Sequence, residues 1–227
     1  MLILAIDTTT RFGSVALVNS GQLLAEVNYL APASHSRQVF RAVDEVLRVA
    51  ARKFDDLEGL AVAAGPGSFT GIRIGLSLVK ALALASGKKV VSVSSLEALA
   101  HKLLFSGAEL IVPMIDARKG EIFACAYSLS VSGLQETISA GVYRPEAFLN
   151  LIPSRKSVAF IGTGGDLYRS LILEKLGSGA RFLDRTYHLA AEVGMIGEKR
   201  LEKGLGLSPK ELQPIYYRKS QAEEKKH

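Results

Sequence analysis

Three short segments of this 227-residue chain carry residue types suited to phosphate chemistry. Asp7-Thr8-Thr9-Thr10 follows an apolar run, so a carboxylate stands at a strand end with three hydroxyls in the turn behind it. The N–H groups and hydroxyls of such a turn can donate to an anion, and the carboxylate can hold water around a metal ion. The same residues also build an Asx or ST turn that closes a hairpin, and the segment taken alone reads as that turn. Gly65-Pro66-Gly67-Ser68-Phe69-Thr70-Gly71 lies between a strand and a helix, where free N–H groups could cradle a phosphate. It lacks the Lys-Ser/Thr pair of a Walker A loop and is not G-x-G-x-x-G. Gly71 and Gly75 stand four apart on the helix, with Val79 and Leu82 continuing their face. That spacing favours close approach of another helix over phosphate binding. Gly162-Thr163-Gly164-Gly165-Asp166 resembles a turn that touches adenosine, and a plain strand-to-helix turn explains it as well.

Other chemistries lack their residues. His35, His101, His188 and His227 are far apart, with no H-x-x-x-H or H-E-x-x-H spacing, so no helix-borne metal ligand set is visible. Ser14, Ser68 and Ser95 have no G-x-S-x-G elbow around them. Cys125, the only cysteine, lies between two alanines and reads as a small buried residue; alone it excludes a disulfide framework. The net charge of +6 permits contact with a polyanion, although Arg218, Lys219, Lys225 and Lys226 place much of the excess in a C-terminal tail. No tryptophan is present and aromatic residues are 7%, too few for a broad base-stacking surface. The apolar run Met1 to Ile6 has no basic residues before it, and Ile72 to Ala85 is broken by Arg73, Gly75 and Lys80. Neither reads as a signal peptide or a membrane span, so a cytoplasmic address without membrane contact is expected.

These segments must be positioned by an alternating α/β chain. Leu2–Asp7 and Gly13–Val18 read as strands. Asn19-Ser20-Gly21 is a hairpin turn, and Gln22–Tyr29 returns. A helix is predicted from polar starting residues between Pro32 and Ser36 to about Lys53, since Val39, Phe40, Val43, Val46, Leu47 and Ala50 recur at helical spacing. Leu57–Ala64 is a strand, 70–86 a helix and Lys89–Val93 a strand, after which Ser94 and Ser95 can cap a helix through Leu96, Leu99 and Leu103. Leu110–Asp116 then repeats the apolar run ending in Asp, and Gly120–Tyr127 repeats the strand behind it. A duplicated pattern predicts two similar α/β lobes, residues 1–106 and a more degenerate 107–227. The second continues through a strand 157–161, a helix to about Leu176 and a last helix from Leu189 to Lys203. An extended segment, Leu212 to Tyr217, is expected to pack back on the first lobe.

Together with Ile6-Asp7-Thr8-Thr9, the segment 64–75 carries a specific resemblance. His35-Ser36-Arg37-Gln38, Ser94-Ser95-Leu96-Glu97-Ala98-Leu99-Ala100 and Ile115-Asp116-Ala117-Arg118-Lys119-Gly120-Glu121-Ile122-Phe123 complete it. The chain resembles the TsaB (YeaZ) family, strongly over residues 1 to about 127 and again at 212–218. The resemblance implies an actin-like ATPase (ASKHA, ribonuclease H-like) α/β fold of two lobes. It implies a role in forming N6-threonylcarbamoyladenosine beside the anticodon of tRNAs that read codons starting with A. Family members act as scaffolds for a metal-bearing paralogue, TsaD, joined by a small ATPase, TsaE, with tRNA met through the complex and a homodimer formed alone. Where the paralogue has two histidines four apart around a glutamate, this chain has Ser95, Glu97 and Leu99, and a serine and a leucine cannot hold a transition metal. No catalytic residue, no metal and no tightly bound cofactor is therefore expected, with ATP or ADP only at the complex. The expected partner interface is Val39, Val43, Val46, Leu47, Gly71, Gly75, Val79 and Leu82. A degenerate nucleotide cleft is expected at Asp7, Thr8, Thr9, Asp116, Gly162 and Gly164. The alternatives are an independent ATPase or kinase using Asp7, Thr8 and Thr9, and a metallopeptidase, which the missing ligand pair disfavours.

Overall fold

The computed structural model describes residues 1–31, 35–131, 133–153 and 156–218. The start of the first helix expected at Pro32 to Ser34, and the basic tail from Lys219, lie outside them. Two compact units form, one from Met1–Ala98 with His188–Tyr216, the other from Leu99–Tyr187 with Tyr217 onward.

The first unit is built on a five-stranded sheet ordered β3-β2-β1-β4-β5. Its strands are β1 (Leu2–Asp7), β2 (Phe12–Asn19), β3 (Gln22–Leu30), β4 (Gly59–Ala63) and β5 (Lys89–Val93). The hairpin half is antiparallel and the β1-β4-β5 half parallel. Every residue of β1 is buried, because helices cover both faces of the sheet. Helices α1 (Ser36–Val49) and α2 (Phe69–Ser86) share one core with Leu2, Leu4 and Ile6. Helix α3 follows at Ser95–His101.

The second unit repeats this plan. Strands β6 (Leu110–Arg118), β7 (Glu121–Ser130), β8 (Gly133–Tyr143), β9 (Val158–Ile161) and β10 (Ala180–Phe182) are ordered β10-β9-β6-β7-β8. Again the hairpin strands are antiparallel and the β6-β9-β10 half parallel. Helices α4 (Pro145–Leu149), α5 (Thr163–Leu167) and α6 (Arg169–Leu176) belong to this unit. Its core joins Leu110, Val112 and Met114 to Phe148, Phe160 and Ile172.

The duplication expected from Asp7 and Asp116 is thus present strand for strand. The units divide elsewhere than at 106/107: the first ends at Ala98 and takes back His188–Tyr216. The last helix, α7 (Ala190–Glu202), which the sequence reading gave to the second lobe, packs on the first sheet. Small residues allow it. A Cβ at Gly194 would sit 2.6 Å from Val18 Cγ2, and one at Gly197 2.5 Å from the Ala61 Cβ, so only glycine lets the helix lie this close. The Ser14 hydroxyl accepts from the N–H groups of Leu189 and Ala190 and so satisfies two free donors at the start of α7. Beyond it, Ile215 N–H donates to Ala64 O.

Candidate functional site

The Asp7 turn is folded inward. Asp7, Thr8 and Thr9 are fully buried in the first unit. Asp7 Oδ1 accepts from the Thr9 N–H at 2.8 Å and the Thr9 hydroxyl at 2.7 Å, which is the Asx turn that these residue types allow. The Thr8 hydroxyl donates to Gly71 O, Ser68 N–H donates to Thr9 O, and the Ser95 hydroxyl donates to Thr9 Oγ1. The residues of the expected nucleotide subsite, Asp7, Thr8 and Thr9, thus form a closed turn in the first unit. The physical cause is the glycine loop. A Cβ on Gly67 would collide with Thr9 O, one on Gly71 with Thr8 O, and one on Gly75 would lie 2.5 Å from Thr8 Oγ1. The glycines let the N-terminus of α2 seat directly on the turn. Beside it, the Tyr29 hydroxyl lies 3.4 Å from His35 Nδ1. Burial, then the Asp7 charge, push the Tyr29 phenol well up; burial lowers His35 against a raising contact from the Thr10 backbone.

The residues of the expected interface take part in the same close packing. Gly71 and Gly75 form no open groove, since the Thr8 turn of the same unit fills it. Val39, Val43, Val46 and Val79 are buried core residues, and Leu47 and Leu82 pack against that core. The faces chosen from helical spacing look at their own sheet, as an amphipathic helix on a sheet does. What remains outside is different. On α2, Ser77, Ala81, Leu84 and Ala85 are exposed, with Leu84 at 68%. On α1, Phe40 is 57% exposed. Thr70 and Arg73 are exposed on α2 as well, so its outer face is mixed; by length and composition alone the helix could cross a membrane, as core helices of soluble proteins also could.

The second unit repeats the turn with the opposite outcome. Asp116 Oδ1 accepts from Arg118 N–H at 2.8 Å, the same Asx geometry as Asp7 with Thr9. Asp116 N–H donates to Thr163 Oγ1 at 3.1 Å. Gly162 takes a φ of +104° and Gly164 follows it in α5; a Cβ on either would press on Met114 or Ile115. These glycines serve close packing as Gly65 and Gly67 do. Asp116, however, is only partly buried, and Arg118 and Lys119 behind it are exposed. The expected cleft residues therefore fall in two groups, Asp7, Thr8 and Thr9 in one unit and Asp116, Gly162 and Gly164 in the other. Tyr187 donates a short hydrogen bond to Asp166, and burial with that bond pushes its phenol up.

The stretch from Ser95 to Leu99 is occupied structurally. Ser95 is fully buried on Thr9, Leu99 is 3% exposed, and Glu97 takes both oxygens to Arg200 Nη2 at 2.8 and 2.7 Å. Arg200 also donates to Ser92 O. Among the described residues no three His, Cys, Asp or Glu side chains gather to hold a metal. Sequence reasoning missed this use of α7, and missed Glu198. That carboxylate is 2% exposed, takes the Met1 ammonium at 2.8 Å and Ser20 N–H at 2.6 Å on one oxygen, and takes Gly21 N–H at 2.6 Å on the other. The available signal was a glutamate four residues after Gly194, on the side of the helix that the glycines press to the sheet.

Comparison with known proteins agrees with this geometry. Residues 28–226 match the family model described as TsaD, tRNA N6-adenosine threonylcarbamoyltransferase. The tRNA threonylcarbamoyladenosine biosynthesis protein TsaB of Escherichia coli is 32% identical over 98% of this chain and 96% of its own. The solved YeaZ structure from Pseudomonas aeruginosa superposes with a TM-score of 0.79 at 27% identity, covering 95% of this chain and 99% of that one. A dehydratase activator from Clostridium difficile, solved with bound ADPNP, shares the fold at a TM-score of 0.59 and 9% identity, over 95% of this chain and 100% of that one. Two sheets of identical strand order and a relationship that runs the length of the chain lead to one assignment: the chain belongs to the TsaB (YeaZ) family, inside the wider threonylcarbamoyltransferase family.

Proposed function

We propose that this chain is a non-catalytic subunit in the formation of N6-threonylcarbamoyladenosine on tRNA, holding a TsaD-type transferase in its working arrangement. The observation that carries this reading is the use made of Ser95, Glu97 and Leu99. The positions available for metal chemistry serve the chain's own fold through Thr9, Arg200 and the core. Full-length similarity to proteins named for threonylcarbamoyladenosine biosynthesis supplies the pathway. The TsaD-type partner sits, in this reading, on the outer face of α2 at Ser77, Ala81, Leu84 and Ala85. Covering the exposed Ala81, Leu84 and Ala85 removes apolar surface from water. A TsaE-type ATPase joins the assembly, ATP or ADP binds there, and a homodimer uses the same face when the partner is absent.

The test is reconstitution. Wild-type chain should co-purify with the transferase and restore threonylcarbamoylation of tRNA by transferase and ATPase together, while having no transferase activity alone. Acyl transfer by the isolated chain, or full tRNA modification without it, refutes the reading.

A further inference from the structure

A cavity of about 450 Å³ opens in the second unit. Glu109, Ser157 and Gly179 line it, each one residue ahead of a strand, β6, β9 and β10. Those strands run parallel, so their starts share one edge of the sheet. Lys175 and Leu176 line it from the last turn of α6, with Ser178 just beyond and Lys156 on the chain entering β9. Glycine permits the fit. Gly177, at a φ of +53°, ends α6, and a Cβ on Gly179 would press on Lys156 O at 3.0 Å. The strand starts are tied together. The Glu109 and Leu110 N–H groups donate to Ser157 O, and Ser157 N–H donates to Glu109 Oε2 at 3.0 Å.

The charges on its walls are not spent on one another. Lys175 Nζ donates to Asn150 Oδ1 at 2.9 Å, a neutral partner that takes one of its three N–H groups. Among the described residues no carboxylate stands within 4.0 Å of the Lys156 or Lys175 ammonium, Glu109 included. A lysine in the last turn of a helix also answers the helix dipole, which accounts for Lys175 but not for Lys156. Two ammonium groups on one concave surface focus a field that favours an anion. The Ser157 hydroxyl oxygen is buried without a hydrogen-bond partner among the described residues, an unspent group in the same wall. We propose that the cavity binds a small sugar phosphate. Lys156 and Lys175 hold the phosphate, the hydroxyls of Ser178 and, after a turn about χ1, of Ser157 donate to it, and Glu109 Oε1 accepts from a sugar hydroxyl. The volume is that of a small-molecule site rather than of a bare ion.

The test is titration of the full chain with ribose 5-phosphate, inorganic phosphate and ribose at fixed ionic strength, read by calorimetry and by backbone amide NMR. Ribose 5-phosphate should bind saturably and more tightly than phosphate, and ribose should not bind. The amide shifts should centre on Lys156, Ser157, Ser178 and Gly179. Lys156→Gln gives up no ion pair or side-chain hydrogen bond among the described residues, so its thermal midpoint should hold. Its affinity for ribose 5-phosphate should fall about tenfold, the loss of one charge-assisted hydrogen bond. Lys199→Gln removes the same charge from an exposed position on α7 in the first unit and should leave the affinity unchanged. Absence of saturable binding up to about 10 mM ribose 5-phosphate overturns the proposal. So do equal losses in the Lys156 and Lys199 variants, which would mean unspecific attraction to a basic protein, and amide shifts centred elsewhere. Should Lys156→Gln fail to fold, the wild-type amide map decides alone.

Discussion

Removing the Glu198 carboxylate should cost stability in a pH-dependent way. In Glu198→Gln the side-chain shape survives, but the charge that receives the Met1 ammonium and two backbone donors is lost. Breaking a buried ion pair from one side costs about 3–5 kcal/mol. Met1 is 30% exposed and the Ser20-Gly21 turn is open to water, so solvent replaces part of what is lost. The lower end of that range, about 3 kcal/mol, is therefore expected, or roughly 6–12 °C in thermal midpoint for a chain of this size. The pH profile separates this account from a simple packing defect. Burial alone would raise the Glu198 carboxyl, but its hydrogen bonds from the ammonium and from the Gly21 and Ser20 N–H groups hold it below the usual range. Its contribution is full above the ordinary glutamate value, about 4.3, and fades as pH falls through the lowered one. The ammonium is raised by its bond to Glu198, so its contribution is full below about 8 and fades as pH rises through the raised value. The difference in midpoint between wild type and variant should be widest between about pH 5 and 8 and should narrow on both sides. A difference that is flat from pH 3 to 10, or below about 1 kcal/mol at pH 7, refutes the reasoning.

Three further outcomes follow from the geometry. Gly71→Ala drives a Cβ into Thr8 O and should destabilise the first unit by about 3 kcal/mol or more, read by chemical denaturation of the isolated chain. Leu84→Glu, at a side chain 68% exposed, should change monomer stability by less than about 0.5 kcal/mol yet abolish co-purification with the transferase. Arg200→Lys keeps the charge but gives up the fork that binds both Glu97 oxygens and Ser92 O, and should cost about 1–2 kcal/mol in thermal unfolding.

The architecture was legible where local pattern and tertiary packing agree. The apolar run from Leu2 to Ile6 and its repeat from Leu110 to Ile115 mark central strands covered on both faces, and their positions gave the duplication. The strand from Gly133 to Tyr143 was missed because it is a long edge strand whose residues are mostly exposed or half-buried, so it lacks an apolar run. The short strand at Ala180 has too few residues to show a period. The site was less legible because helical spacing identifies an apolar face without saying what covers it. Val39, Val43 and Val46 were recognised as one face of α1, and that face is the core. Gly71 and Gly75 were read as a seat for another helix. The approaching group was Thr8, some sixty residues earlier in the chain, and sequence spacing carries no sign of that. Glu198 and Arg200 lay hidden for the same reason, since their partners at Met1 and Glu97 are brought close only by folding.

The return of α7 to the first sheet orders the birth of the molecule on the ribosome. One flank of that sheet, at Ala5, Val18 and Ala61, stays bare until Gly194 and Gly197 have been translated, whereas the stretch from Leu99 to Tyr187 is contiguous and can condense as soon as it emerges. The half encoded first thus waits for a helix encoded near the end of the chain. In the interval the nascent chain presents an uncovered apolar sheet, the kind of surface on which chaperones act and from which premature termination would leave an aggregating fragment.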